Sequence, residues 1–315
     1  MRHKLSQKPA SAASGTNIGG SVNRATRVAV RTAAALLLVL VIAATFDYRR
    51  DRQVREALYA ALAPVRVTNC ELQRFGRRYD GGYLMCANLM KSAEAVYSYG
   101  IGGNDDWGCA VAGPLNAPLH QYDCYNTDVP PCGERTLAQF HAECIGPARE
   151  TISGRPFDTI VNHIQRNGHT GKRLIVKMDV EGSEWRSLAE APQHVLNAIE
   201  QLAIEFHGVE QPAFLATVTR LNEFFYVAHI HHNNYECRPG FEPFAGPVFE
   251  ALLVNKRIAV PNPWVSARGP SPLDAPNDPT RVDCQSEPAR SEPSRIARWL
   301  YRKARGLARH FAIRR

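Results

Sequence analysis

The stretch Leu174-Ile-Val-Lys-Met-Asp-Val-Glu-Gly-Ser-Glu-Trp185 decides the fold. An apolar run of strand type ends in two carboxylates, Asp179 and Glu181, then breaks at Gly182 into a helical pattern. In an open parallel sheet, ligands bind beyond the carboxyl ends of the strands, so both carboxylates are placed to face a crevice. A helix amino end also attracts acidic residues through its partial positive charge. Capping explains one carboxylate and leaves the other, with Lys177 beside it, to function.

Outward from this stretch, strands are expected at residues 95–99, 120–125, 173–179, 201–206, 226–231 and 249–255, with a shorter one near 141–145. Helical periodicity covers 159–167, 184–190 and 214–225. Residues 72–89 read as a hairpin around Asp80-Gly81-Gly82, a strong turn signal. Strands alternating with helices imply βαβ units and a mostly parallel sheet covered on both faces.

The chain has 315 residues and a formal net charge of +8. The basic excess lies before Arg55 and after Arg295, leaving the middle near neutral. That pattern speaks against a nucleic-acid groove across the fold and for a membrane surface as the acidic partner. None of the eight cysteines forms a Cys-x-x-Cys pair, which argues against a structural zinc site. The even count permits disulfides as readily as scattered buried thiols, so cysteine usage does not fix the compartment.

Glu94-Ala-Val-Tyr-Ser-Tyr-Gly-Ile-Gly-Gly-Asn-Asp-Asp-Trp107 is a short strand, a glycine turn and the start of a helix. Gly100, Gly102 and Gly103 let the backbone approach a ligand closely. Asp123 follows about twenty residues on, where an acidic side chain can accept both hydroxyls of a ribose. The spacing suits NAD or S-adenosylmethionine, and the lack of a glycine at 105 disfavours a pyrophosphate cradle.

These residues carry a resemblance. Asp80-Gly81-Gly82-Tyr83, the Tyr-Gly-Ile-Gly of 99–102, Lys177-x-Asp179-x-Glu181-Gly182-x-Glu184 and His231-His232-Asn233-Asn234-Tyr235 together resemble the FkbM-type and methyltransferase-like class I S-adenosylmethionine-dependent methyltransferases. The likeness covers residues 72–256, and the Lys-x-Asp-x-Glu-Gly-x-Glu motif is its most specific part. It implies a Rossmann-like α/β fold, a seven-stranded sheet whose last strand is reversed, and methyl transfer, usually to oxygen. It also implies that Gly100, Gly102, Gly103, Asp123 and Asp179 hold the cofactor while later strand ends face the acceptor.

Methyl transfer to a hydroxyl needs an aligned acceptor and a group to take its proton. Asp179, Glu181, His207 and His231 are the candidates, and strand alternation puts Glu205 and His207 on one side. Asp179, Glu205 and Asn233 carry oxygens of the kind that hold a divalent cation. A polar loop leaving a strand accounts for 231–234 more simply, and no metal is assigned. The expected activity is O-methylation of a sugar, lipid-linked or other small acceptor, with residues 208–246 as the acceptor lid. The rivals are a nicotinamide-dependent oxidoreductase and a non-catalytic membrane-bound binding module of the same fold.

The ends have their own expectations. Residues 1–27 form a polar basic tail expected to be disordered. Residues 32–46 carry no charge but span only about 22 Å as a helix, so a transmembrane anchor needs 28–46 with Arg31 snorkelling. A cleaved signal peptide fits the same run; the poor small-x-small flank after Ala44 and the following Arg49, Arg50 and Arg52 favour an anchor. Residues 47–64 are expected as a stalk, 65–260 as the methyltransferase domain and 261–294 as a Pro-rich linker. Residues 295–315 suit a basic amphipathic helix on a membrane surface. Basic residues flank the apolar run almost equally, leaving orientation open by charge. Cytosolic synthesis of S-adenosylmethionine and anionic lipid on the inner leaflet place the domain on the cytoplasmic face as an expectation.

Overall fold

The computed structural model describes residues 24–133, 136–267, 269–284 and 300. It divides into two units, Met1–Phe46 and Asp47–Arg315. The first contributes the start of α1 (Arg24–Ala61), with Leu36, Leu37, Leu38 and Val39 exposed. Among the described residues α1 is the one helix long and apolar enough to cross a membrane, a test that a signal sequence also passes. The amphipathic segment expected at 295–315 lies outside the described residues apart from Leu300.

The second unit opens with β1 (Val65–Val67) and the hairpin β2 (Leu72–Gly76) and β3 (Gly82–Cys86). Next come β4 (Ala95–Tyr99), α2 (Asp106–Leu115), β5 (Leu119–Tyr122) and β6 (Ala138–His141). A small sheet of β7 (Cys144–Ile145), β8 (Glu150–Ile152) and β9 (Arg155–Asp158) precedes α3 (Ile160–Arg166). The second half holds β10 (Leu174–Met178), α4 (Ser183–Glu190), α5 (Gln193–Ala198), β11 (Ile199–His207) and α6 (Pro212–Phe224). It closes with β12 (Phe225–His232), β13 (Val248–Asn255) and β14 (Pro261–Ser266).

Seven of these strands form one sheet in the order β12-β13-β11-β10-β4-β5-β6. β13 runs antiparallel to both neighbours, and the remaining pairs are parallel. This arrangement fits a Rossmann-like methyltransferase fold, with the reversed last strand that the resemblance implies. Strand order reverses between β4 and β10, which puts the topological switch at Gly100 and Asp179. Alternation along β10 explains why both faces bury apolar side chains. Leu174, Val176 and Met178 pack toward α3, α4, α5 and α6, while Ile175 packs toward α2 and the β2–β3 hairpin.

Three expectations change. The proposed stalk at 47–64 is not free-standing: Tyr48, Leu58 and Leu62 are buried, and Arg55, also buried, donates to Glu210 Oε1 at 2.7 Å. The expected linker at 261–294 is packed in its described part, up to 284; residues 285–294 lie outside the described residues. β14 pairs with β1, and Asn277 donates to Glu250 Oε1 at 2.7 Å. Pro-, Ser- and Asp-rich composition suits an irregular strap as well as a linker, and buried polar partners on β12 and β13 decide for the strap. The strand expected across 141–145 splits, because a turn separates β6 from β7.

All eight cysteines pair, as Cys70–Cys86, Cys109–Cys132, Cys124–Cys144 and Cys237–Cys284. Four disulfides with no free thiol is the chemistry of an oxidising compartment, and it argues against the expected cytoplasmic placement of the domain. In denaturant without reductant, the chain is expected to offer no thiol to an alkylating reagent. A stoichiometric free thiol would contradict the pairing. The Cys237→Ser, Cys284→Ser double variant, which frees the strap, should lose about 2–4 kcal/mol of unfolding free energy in urea.

Candidate active site

A cavity of about 640 Å³ opens at the carboxyl edge of β4, β5 and β10, within the size range of small-molecule sites. Gly100, Ile101 and Gly102 form one wall, Asp123, Tyr125 and Asn126 a second, and Asp179, Glu181 and Ser183 a third. Gly100 has φ +73°, and a Cβ there would lie 1.6 Å from the Asp179 carbonyl oxygen. Only glycine lets β4 and β10 end this close together.

Asp123 is 7 % exposed, and its carboxylate is fully engaged. Oδ2 accepts from the Ile101 and Gly102 amides at 3.1 and 2.8 Å, and Oδ1 from the Tyr125 and Asn126 amides at 2.8 and 2.9 Å. A carboxylate offers about four acceptor positions, so in this conformation the expected ribose contact would need an amide to let go. Asp123 lines the cavity as anticipated, but the bonds it makes clamp the two loops together.

At the opposite wall the turn after β10 is tight. Glu181 takes φ +53°, unusual for a side chain other than glycine, and Gly182 follows at φ +105°. Glu184, fully buried in the first turn of α4, closes the turn: its Oε2 accepts from Gly182 N at 2.8 Å and its Oε1 from His207 N at 2.7 Å. Glu181 is therefore free of capping and turns its exposed carboxylate toward His207 Nε2, 3.5 Å away.

Asp179 accepts from the Tyr83 hydroxyl at 3.0 Å and lies 3.5 Å from Lys177 Nζ, which donates to the Gly100 carbonyl at 2.7 Å. Burial alone would raise the Asp179 pKa; Lys177, a bond with Glu205, His207 and the Tyr83 hydroxyl outweigh it and hold the carboxyl below its ordinary value. Glu205 goes the other way. Burial, then the Asp179 and Glu250 carboxylates, push it well up against the hydrogen bond from Asn233. The two carboxyls are thus pushed in opposite directions. For His207, burial opposes the charged form, but Glu184, Asp179 and Glu181 prevail and raise it.

Of the four expected catalytic residues, Asp179 and Glu181 line the cavity and His207 adjoins them. His231 does not join them. Strand register sets Glu205 beside Glu250 and Glu250 beside His231, so two strands separate the histidine from Asp179. It borders a second cavity of about 490 Å³. Sequence reading missed Tyr83 and Glu184 as site residues; register across β10 and β11 was the signal that would have joined Asp179 to Glu205.

No family model and no curated protein matches the chain. Among solved structures it is similar to an rRNA methylase from Streptococcus thermophilus, at 12 % identity over 54 % of this chain and 90 % of that one. The TM-score is 0.32, too slight a likeness to carry an argument.

Two expectations follow. Asp123→Ala should speed hydrogen exchange at the Ile101, Gly102, Tyr125 and Asn126 amides and cost about 3 kcal/mol or more, since bonds to a charged acceptor are worth about 1.5–3 kcal/mol each. Unchanged exchange at these amides would refute the clamp. The second concerns His231. Burial opposes its charge, but Glu250, Asp283 and Asp274 raise its pKa to about 9. A raised folded-state pKa contributes stability that is complete below the unfolded value near 6.5 and is lost as pH rises through 9. Stability measured in urea should fall by a few kcal/mol between these limits, and His231→Gln should flatten the profile.

Proposed function

We propose that the chain is an S-adenosylmethionine-dependent methyltransferase that methylates a hydroxyl of a small or glycan acceptor. The observation that carries this reading is the cavity at the topological switch, walled by the glycine turn after β4 and by Asp179 after β10. The residues present fit the cofactor. Ile145 and Phe157 give an apolar wall for a purine, Arg77, which pairs with Asp106 through Nε, keeps its terminal N–H groups for a carboxylate, and Asp80 offers an acceptor for an ammonium. Asp123 and the glycine turn would hold the ribose once one amide is exchanged for a hydroxyl. When bound, the cofactor supplies an electrophilic methyl group on sulfur.

The chain's own part is to align the acceptor and take its proton. Asp179, oriented by Tyr83, is placed to accept a hydroxyl proton. His207 and Glu181 flank the same opening, where a proton can be passed to solvent. The disulfides support a domain held outside the cytosol, with α1 as an anchor or an export signal.

Titration calorimetry of the oxidised protein with S-adenosylmethionine and with NAD tests the assignment. The expected result is saturable binding of the first and none of the second, and the converse would favour an oxidoreductase. Asp179→Asn should keep binding within about threefold while lowering methyl transfer by about 10²-fold or more, the usual size of a general-base contribution. Full turnover in this variant would remove Asp179 from the mechanism.

A further inference from the structure

We propose that Asp179, Glu205 and His207 form a binding site for one divalent cation, with Mn²⁺ the best-suited ion. One ligand atom from each lies within 4.8 Å of the others. Two adjacent strands build the site: Glu205 and His207 share a face of β11 by alternation, and β10 delivers Asp179 next to Glu205.

The spacing is that of a ligand set. His207 Nε2 lies 3.5 Å from Glu205 Oε2, longer than a good hydrogen bond. Ligand atoms at about 2.1 Å from a common ion, at octahedral to tetrahedral angles, stand about 3.0–3.4 Å apart. Glu205 is 6 % exposed, and Asn233 donates to its Oε1 at 2.6 Å. That bond turns Oε2 toward the imidazole and the Asp179 carboxylate, so a buried acceptor is aimed at the centre of the set.

The second shell agrees. His207 Nδ1 lies 3.3 Å from Oε1 of the fully buried Glu184. A carboxylate on one ring nitrogen fixes the tautomer and leaves the other nitrogen's lone pair for a metal. Tyr83 orients Asp179 in the same way, through its hydroxyl.

A second cluster, Glu143, Asp158 and His163, meets the same distance criterion and gives the contrast. There the Arg166 guanidinium pairs with both carboxylates, so the positive charge is already supplied by the chain. At the proposed site Lys177 stands 3.5 Å from Asp179 but gives its shorter bond, 2.7 Å, to the Gly100 carbonyl, and among the described residues no guanidinium bridges Asp179 to Glu205. Two carboxylates with one imidazole suit an ion of intermediate hardness, which favours Mn²⁺ over Mg²⁺ or Cu⁺. An acceptor hydroxyl bound to such an ion would lose its proton more easily; that use rests on the methyl-transfer reading, whereas the binding itself does not.

The test is Mn²⁺ titration of the oxidised full-length protein without S-adenosylmethionine, following the free-ion signal by electron paramagnetic resonance. One ion per chain is expected. Glu205→Gln and His207→Gln should weaken binding at least tenfold. Glu184→Gln, which touches no ion, should weaken it about 10–100-fold, and Glu143→Gln should leave it unchanged. Melting curves confirm that the variants are folded. No binding by the wild type, or equal binding by folded Glu205→Gln, overturns the site. Because S-adenosylmethionine affinity is measured separately, failure here leaves the methyl-transfer reading standing, and the converse holds.

Discussion

The loops that shape the cavity have no sheet ladder of their own, and what holds them is the Asp123 carboxylate. Its four amide partners come from the turn after β4 and the turn after β5, so one side chain fixes two walls relative to each other. The Cys124–Cys144 disulfide begins at the next residue and ties that wall to β7, where Ile145 also faces the cavity. Gly100 completes the arrangement by letting the Asp179 carbonyl pass within contact of its backbone. The shape of the site is therefore set by backbone geometry and one charge. The candidate reactive side chains Asp179 and Glu181 stand on the far wall.

That far wall continues into the sheet as a row of ionisable groups: Asp179, Glu205, Glu250 and His231, on successive neighbouring strands. Carboxylates set side by side under cover would repel each other if all were ionised. The row is eased by the raised pKa values of Glu205 and His231 and by amide donors from Asn233 and Asn277. The β2–β3 hairpin, through Tyr83, and the strap ending at Cys284 cover it. The strap is thus part of the electrostatic balance of the sheet.

Much of the fold was readable because its signals are local. The hairpin around Asp80-Gly81-Gly82, the strand that ends at Asp179 and the strand carrying Glu205 and His207 all lie where periodicity and turn residues put them. What could not be read depends on pairing between distant segments. Nothing local distinguishes a Pro-rich linker from a strap, and only the partners of Asn277 and Cys284 do so. Asp123 was found by its spacing, yet its occupation by four amides is a property of two loops meeting. His231 looked reactive in a His-His-Asn-Asn run, but strand register carried it away from the cavity. The stack of Tyr97, Tyr99, Tyr122 and His163 beneath α3 is another such product of register, with His163 held neutral, its pKa near 3, chiefly by burial.

The burial of Tyr48, Arg55, Leu58 and Leu62 bears on how the protein can be deployed. The unit that holds the cavity begins at Asp47, immediately after the exposed apolar turns of α1. A peptide bond cut before that point would leave these four buried side chains, and every residue that lines the cavity, in the remaining chain. On the proposed reading of α1 as an anchor, a single proteolytic event there would turn a tethered form into a shed form that diffuses away from the lipid. The choice between them would rest with the protease that meets the chain, and not with any rearrangement of the site.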